Sequence, residues 1–84
     1  MNIAIILAGG IGNRMRREDI VIPKQFLKID NKPIVAYTLA NFQNHDSIDK
    51  ILVVCVDDWI EEMKKIVVEN HFDKVNWIIS GGKS

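Results

Sequence analysis

Two segments near the start of the chain carry the residue types that do chemistry. They are Leu7-Ala8-Gly9-Gly10-Ile11-Gly12-Asn13-Arg14-Met15 and Pro23-Lys24-Gln25-Phe26-Leu27. Glycines bring no Cβ, so their backbone N–H groups can approach phosphate oxygens closely. Arg14 adds a rigid, permanently charged fork, and Lys24, ten residues on and behind a proline, adds a compact ammonium. An apolar run, Ile3 to Leu7, feeds straight into the glycines. The pattern predicts a nucleotide-phosphate site built from residues 7–12 (Leu7, Ala8, Gly9, Gly10, Ile11 and Gly12) with Arg14 and Lys24. A later pair, Gly81-Gly82, is a candidate second wall.

Charge is placed to match. The 84 residues hold 11 basic and 11 acidic side chains, a net charge of zero that argues against nucleic acid or an anionic membrane as partner. Between Gly9 and Lys28, however, five basic residues face only Glu18 and Asp19, whereas from Asn31 onward acids outnumber bases by eight to six. The local positive field coincides with the glycine loop and suits an anionic small molecule. Cys55, the sole cysteine, excludes an internal disulfide and reads as a buried small hydrophobe. The apolar start is too short for a transmembrane helix and lacks a basic leader, so a cytoplasmic location is expected.

These residues need a frame. Ile3 to Leu7 and Ile51 to Val56 are unbroken apolar runs of strand length, as in parallel strands buried on both faces. Pro33 to Asn44 reads as a helix with proline at its first position and Ile34, Val35, Thr38, Leu39 and Phe42 on one face. Asp57 or Asp58 is expected to cap a second helix, Trp59 to Glu69, with Glu61 and Glu62 in its first turn and Ile60, Met63 and Val67 inward. Val75 to Ile79 is a third strand, ending in Ser80-Gly81-Gly82. The expected fold is α/β, a Rossmann-like parallel sheet in βαβαβ order, strands 3-2-1, with right-handed crossovers and both helices on one face. Ligands of such sheets sit beyond the carboxyl ends of the strands, where both glycine clusters fall. The run Ile51 to Val56 needs cover on both faces, and no segment is left for the second. The chain is therefore expected to be the N-terminal part of one larger domain.

Two common phosphate motifs fail. A dinucleotide fingerprint needs a third glycine where Met15 stands, and Gly82-Lys83-Ser84 imitates a P-loop whose first glycine is replaced by Trp77. His45 and His71 lack ligand spacing, and Asp57-Asp58 reads as capping rather than a metal pair. Arg16 and Arg17 read as a solvated loop face, and Trp59 and Trp77 as packing or partner surface. What remains is Ala8-Gly9-Gly10-x-Gly12-x-Arg14-Met15, Pro23-Lys24-Gln25-Phe26-Leu27, Asp30-x-Lys32-Pro33-Ile34 and Gly81-Gly82, in that order. This series resembles the N-terminal part of the cytidylyltransferases acting on 2-C-methyl-D-erythritol 4-phosphate or ribitol 5-phosphate. Sugar 1-phosphate nucleotidylyltransferases share the glycine loop and Pro-Lys but usually lack the following glutamine-aromatic.

The resemblance implies transfer of CMP from CTP to a polyol phosphate with release of pyrophosphate. It assigns Arg14 and Lys24 to charge on the α-phosphate and the backbone at Ala8, Gly9 and Gly82 to the cytosine surroundings. Gly10, Ile11, Gly12 and Gly81 complete the implied CTP site. It further implies a Mg²⁺ requirement whose aspartate ligand lies beyond residue 84, an acceptor site also beyond it, and a homodimer. A sugar 1-phosphate nucleotidylyltransferase, or a CTP-binding module without turnover, is the alternative expectation. Nucleotidyl transfer needs positioned reactants and compensated charge rather than a protein nucleophile, so the absence of a Ser-His-Asp or Cys-His set does not oppose this reading.

Overall fold

A computed structural model describes residues 1–8, 13–14 and 21–82, with the backbone alone at Asn13, Arg14 and Val21. Strand β1 (Ile3–Ala8) is followed by two short strands, β2 (Asn13–Arg14) and β3 (Val21–Ile22), and a 3-10 turn at Lys24–Phe26. A hairpin of β4 (Lys28–Ile29) and β5 (Lys32–Pro33) leads into helix α1 (Ile34–Gln43). Then come β6 (Lys50–Cys55), a 3-10 turn at Asp57–Trp59, helix α2 (Ile60–Glu69) and β7 (Val75–Ser80). The main sheet is parallel, in the order β1-β6-β7, which is the 3-2-1 arrangement expected.

One face of this sheet is the core. Ala4, Ile6 and Ala8 of β1 and Ile51, Val53 and Cys55 of β6 form one cluster with Val35, Ala36 and Leu39 of α1 and Met63 and Ile66 of α2. Both helices therefore cover the same face, as right-handed crossovers running in one direction require. The other face carries Ile3, Ile5, Leu7, Trp77 and Ile79, with Ile5 63% and Leu7 69% exposed. It is continuous: Ile5 pairs with Leu52 and Leu52 with Trp77, while Leu7 pairs with Val54 and Val54 with Ile79. The apolar run of β6 thus alternates between a covered and a bare face.

Local deviations have physical causes. A shift in register between Ile51 and Leu52 makes Asn76 an extra residue in β7, so Val75 and Ile78, three apart, lie opposite the core residues Ile51 and Val53. Strict alternation in that strand would instead put Val75, Trp77 and Ile79 on one side. Pro33 is not the first helical residue. It occupies the N-cap position with ψ 145° because it is paired with Lys28 in the hairpin, whose two-residue loop Asp30-Asn31 has both φ values positive, as a type I′ turn requires. The Tyr37 hydroxyl donates to the Ile29 carbonyl at 2.9 Å and fastens this hairpin to α1. Neither Asp57 nor Asp58 caps α2: the helix begins at Ile60 with Trp59 at the N-cap and no side-chain cap. Residues 57–59 are spent on the 3-10 turn instead, and Glu61 and Glu62 do occupy the first helical turn.

Candidate functional site

Three strand ends meet at one edge. Cys55, the last residue of the central strand, pairs with Ala8 on one side and Ser80 on the other. The ends of all three strands therefore lie side by side, and Gly81-Gly82 continues from one of them. Gly9, Gly10, Ile11 and Gly12 lie outside the described residues, as do Arg16 and Arg17. Leu7 is described, and its side chain lies on the bare face, so only its backbone can serve the loop.

Arg14 and Lys24, ten residues apart, are connected through a short strand pairing. Asn13 pairs with Ile22 and Arg14 with Val21 in an antiparallel ladder, so the backbone of residue 14 lies against the segment that runs directly into Pro23-Lys24. Pro23 is fully buried and Phe26 nearly so, whereas Lys24 between them is exposed. The Phe26 N–H donates to the Pro23 carbonyl at 2.8 Å and closes the turn. The Phe26 ring stacks at a 32° tilt, centroids 4.7 Å apart, on Trp59, which follows the end of β6. That contact pins the Lys24 turn to the carboxyl edge of the sheet. It also gives Trp59 the packing role expected of it, while Trp77 lies on the bare face. Among the described residues the one salt bridge is Lys64–Glu61, so the Lys24 ammonium is not neutralised by a carboxylate there. Beside it, Gln25 Oε1 is buried with no hydrogen-bond partner among the described residues.

The two later glycines are required for different reasons. A Cβ on Gly81 would stand 2.8 Å from Val54 Cγ1, and the Gly81 N–H donates to the Cys55 carbonyl at 2.8 Å. Gly82 has φ +97°, a left-handed conformation that L side chains rarely adopt, and nothing lies within 4 Å of where its Cβ would be. Its peptide groups are already held: the Asp57 N–H donates to the Gly82 carbonyl at 2.9 Å, and the Gly82 N–H donates to Ser80 Oγ at 3.2 Å. The Ser80 hydroxyl in turn donates to Asp57 Oδ1. Sequence reasoning passed over Ser80 and assigned Asp57 to capping; a serine directly before Gly-Gly was the available signal.

Cys55 lies beneath this edge and is fully buried. Burial first, and the Asp57 charge second, push its thiol from 9.0 up to about 11, so it stays protonated and is no nucleophile at neutral pH. His45 and His71 are exposed, and no group of three or more metal-ligating side chains occurs among the described residues. Among those residues, no helix is long and apolar enough to cross a membrane.

An exposed ammonium, the backbone of the Arg14 segment and the open side of Gly82 are what the described residues place along this edge, an arrangement that can accept an anionic ligand. Comparison with known proteins gives the family. The family model for IspD, 2-C-methyl-D-erythritol 4-phosphate cytidylyltransferase, matches residues 2–84. The chain belongs to this family. It is 44% identical over 84 residues to a ribitol-5-phosphate cytidylyltransferase of Vibrio parahaemolyticus, covering all of this chain and 34% of the relative. It is 48% identical over 79 residues to a protein of that name from Lacticaseibacillus paracasei, covering 94% of this chain and 32% of the relative. A 2-C-methyl-D-erythritol 4-phosphate cytidylyltransferase of Clostridium botulinum is 46% identical over 82 residues, 98% of this chain and 34% of that protein. The chain spans about a third of the length of these curated relatives. The IspD family is one of nucleotidyltransferases, with the α/β fold seen here.

Proposed function

We propose that this chain forms the CTP-binding part of a cytidylyltransferase that transfers CMP to 2-C-methyl-D-erythritol 4-phosphate or ribitol 5-phosphate. The observation that supports it best is the meeting of Ala8, Cys55 and Ser80 at one sheet edge, with the Lys24 turn pinned there by Phe26 on Trp59. In the reaction a phosphate oxygen of the acceptor attacks the α-phosphorus of CTP in line. The new P–O bond forms as the bond to the β-phosphate oxygen breaks, and pyrophosphate leaves with that electron pair. Lys24 and Arg14 compensate charge on the α-phosphate, and the backbone of residues 8–12 approaches the nucleotide. Gly82, with open space beside its α-carbon, borders the cytosine. Such a reaction asks the protein for position and charge compensation rather than covalent work.

A magnesium requirement, a cytoplasmic location and a homodimer belong to the same proposal. The described residues do not by themselves make a metal site. The test is an enzyme of the relatives' length carrying this segment, assayed for pyrophosphate release with either acceptor. CTP should be preferred over UTP and ATP, because hydrogen-bond readout of a base edge leaves buried polar groups unpaired when the base is wrong. Equal turnover with UTP would move the protein to the sugar 1-phosphate class, and CTP binding without pyrophosphate release would make it a binding module.

A further inference from the structure

We propose that Asp57 and Ser80 are positioning residues that set the preference for cytosine by fixing the peptide groups of Gly82. This rests on the reading of the site as a CTP site. The three residues close a ring of hydrogen bonds: Ser80 Oγ to Asp57, the Gly82 N–H to Ser80 Oγ, and the Asp57 N–H to the Gly82 carbonyl. The ring ties the loop after β7 to the end of β6, across the edge where the strands meet. The Gly82 N–H and one lone pair of its carbonyl are bonded within the protein, so the peptide is oriented before any ligand arrives and the carbonyl keeps a second lone pair for a donor such as the cytosine amine. A surface prepared in this way spares the ordering cost of binding.

Two further observations point the ring at recognition rather than stability. Asp57 and Ser80 are both exposed, where water competes for their hydrogen bond, so the pair contributes little to folding. The Asp57 carboxylate would also repel a triphosphate, while Lys24, whose turn contacts β1, would attract one. The edge is therefore polar along its length: phosphates toward β1 and the base toward β7. A fixed negative charge at the base end favours the cytosine amine, a donor, over the uracil carbonyl that replaces it.

The test uses the same enzyme of the relatives' length with Ser80→Ala, Asp57→Ala, both together, and Ser80→Thr. Each alanine variant should raise KM for CTP about tenfold, as expected for losing a hydrogen bond to a charged group, and leave kcat and the acceptor KM within about twofold. The CTP-over-UTP preference should fall in parallel. The double variant should be no worse than the worse single one, because the residues act as one unit, and Ser80→Thr should restore the parent values. Unchanged nucleotide preference in Ser80→Ala, or failure of Ser80→Thr to restore it, would overturn the assignment. If Asp57→Ala lowers thermal stability, the Ser80 pair of variants alone decides. An inactive parent enzyme would instead remove the CTP reading on which the inference stands.

Discussion

Replacing Gly81 by alanine tests the closest approach at the carboxyl edge. The added Cβ would sit 2.8 Å from Val54 Cγ1, against an ordinary carbon–carbon separation of about 3.5–4.0 Å. Val54 cannot give way cheaply. It is β-branched, so its χ1 is stiff, and it is paired with Leu7 on one side and Ile79 on the other. Gly81 is no freer, since its N–H is bonded to the Cys55 carbonyl at 2.8 Å. Relief must come from a shifted strand or a lengthened hydrogen bond, and overpacking of this kind costs roughly 1–3 kcal/mol. Removing the obstructing methyl with Val54→Ala should abolish most of that penalty. A double-mutant cycle by urea unfolding, followed by circular dichroism in the enzyme of the relatives' length, should give a coupling of about 1 kcal/mol or more. Gly82→Ala serves as the contrast: its Cβ meets nothing, so its cost, roughly 1–2 kcal/mol of left-handed backbone strain, should simply add to that of Val54→Ala. Additive Gly81→Ala and Val54→Ala effects, or a Gly81→Ala protein as stable as its parent, would refute the steric account.

In the same enzyme, Lys24→Ala and Arg14→Ala should each lower kcat by about a hundredfold, the usual cost of one lost transition-state charge contact. Lys24→Arg should fail too, because a planar guanidinium does not replace a compact ammonium, while Arg16→Ala and Arg17→Ala should change little; pyrophosphate release measures all five. Because the folded Cys55 thiol keeps its proton up to about 11 instead of 9.0, stability should be at its full value below pH 9 and fall as pH rises toward 11. The loss attributable to Cys55 by pH 11 is about 2 kcal/mol, and urea unfolding of a Cys55→Ala variant across that range should lack it. The 84-residue chain alone should bind a hydrophobic dye and self-associate with rising concentration through Ile5, Leu7 and Trp77, and Ile5→Lys with Trp77→Lys should suppress both.

Elements with a strong local signature were legible in the chain. The runs Ile3 to Leu7 and Ile51 to Val56 could only be strands, and the alternation with two amphipathic helices left one sensible strand order. Pro23-Lys24 could be read as a turn carrying an exposed charge by residue type, because a proline fixes a turn and a lysine after it offers charge. What held that turn in position was not legible: the Phe26–Trp59 stack joins residues thirty-three apart and follows from no periodicity. The expected Asp57 cap failed for a related reason. A carboxylate near a helix start has a local partner in the backbone, but the Ser80 hydroxyl, brought close by the parallel pairing of β6 and β7, takes it instead. The Asn76 bulge was equally hidden, since apolar Val75, Trp77 and Ile79 at alternate positions read as one face until the pairing is known.

The two edges of the sheet are fastened in different ways. At the amino edge, side chains close the structure: Gln43 receives the Lys74 N–H at 3.0 Å and donates to Asp73 Oδ1 at 2.6 Å, and Asn2 is bonded to Asp49 and Ser47. At the carboxyl edge the chain uses glycines, and the space beside Gly82 is left open. A backbone without side chains cannot hold itself, so the edge that must stay open needs its restraints from neighbours that do not fill it. Ser80 and Asp57 supply them from the flank on the β7 side, and the buried Pro23 and Phe26 supply them beneath Lys24 on the β1 side. Ser80, Pro23 and Phe26 stand one or two residues from the group they position, and Asp57 reaches Gly82 from the end of the neighbouring strand. A substitution that enlarges either glycine should therefore damage the site through geometry, whereas loss of Lys24 should damage it through charge with the fold intact. Matched unfolding curves for Lys24→Ala and its parent, beside a shifted curve for Gly81→Ala, would carry that distinction; a Lys24→Ala protein as destabilised as Gly81→Ala would break it.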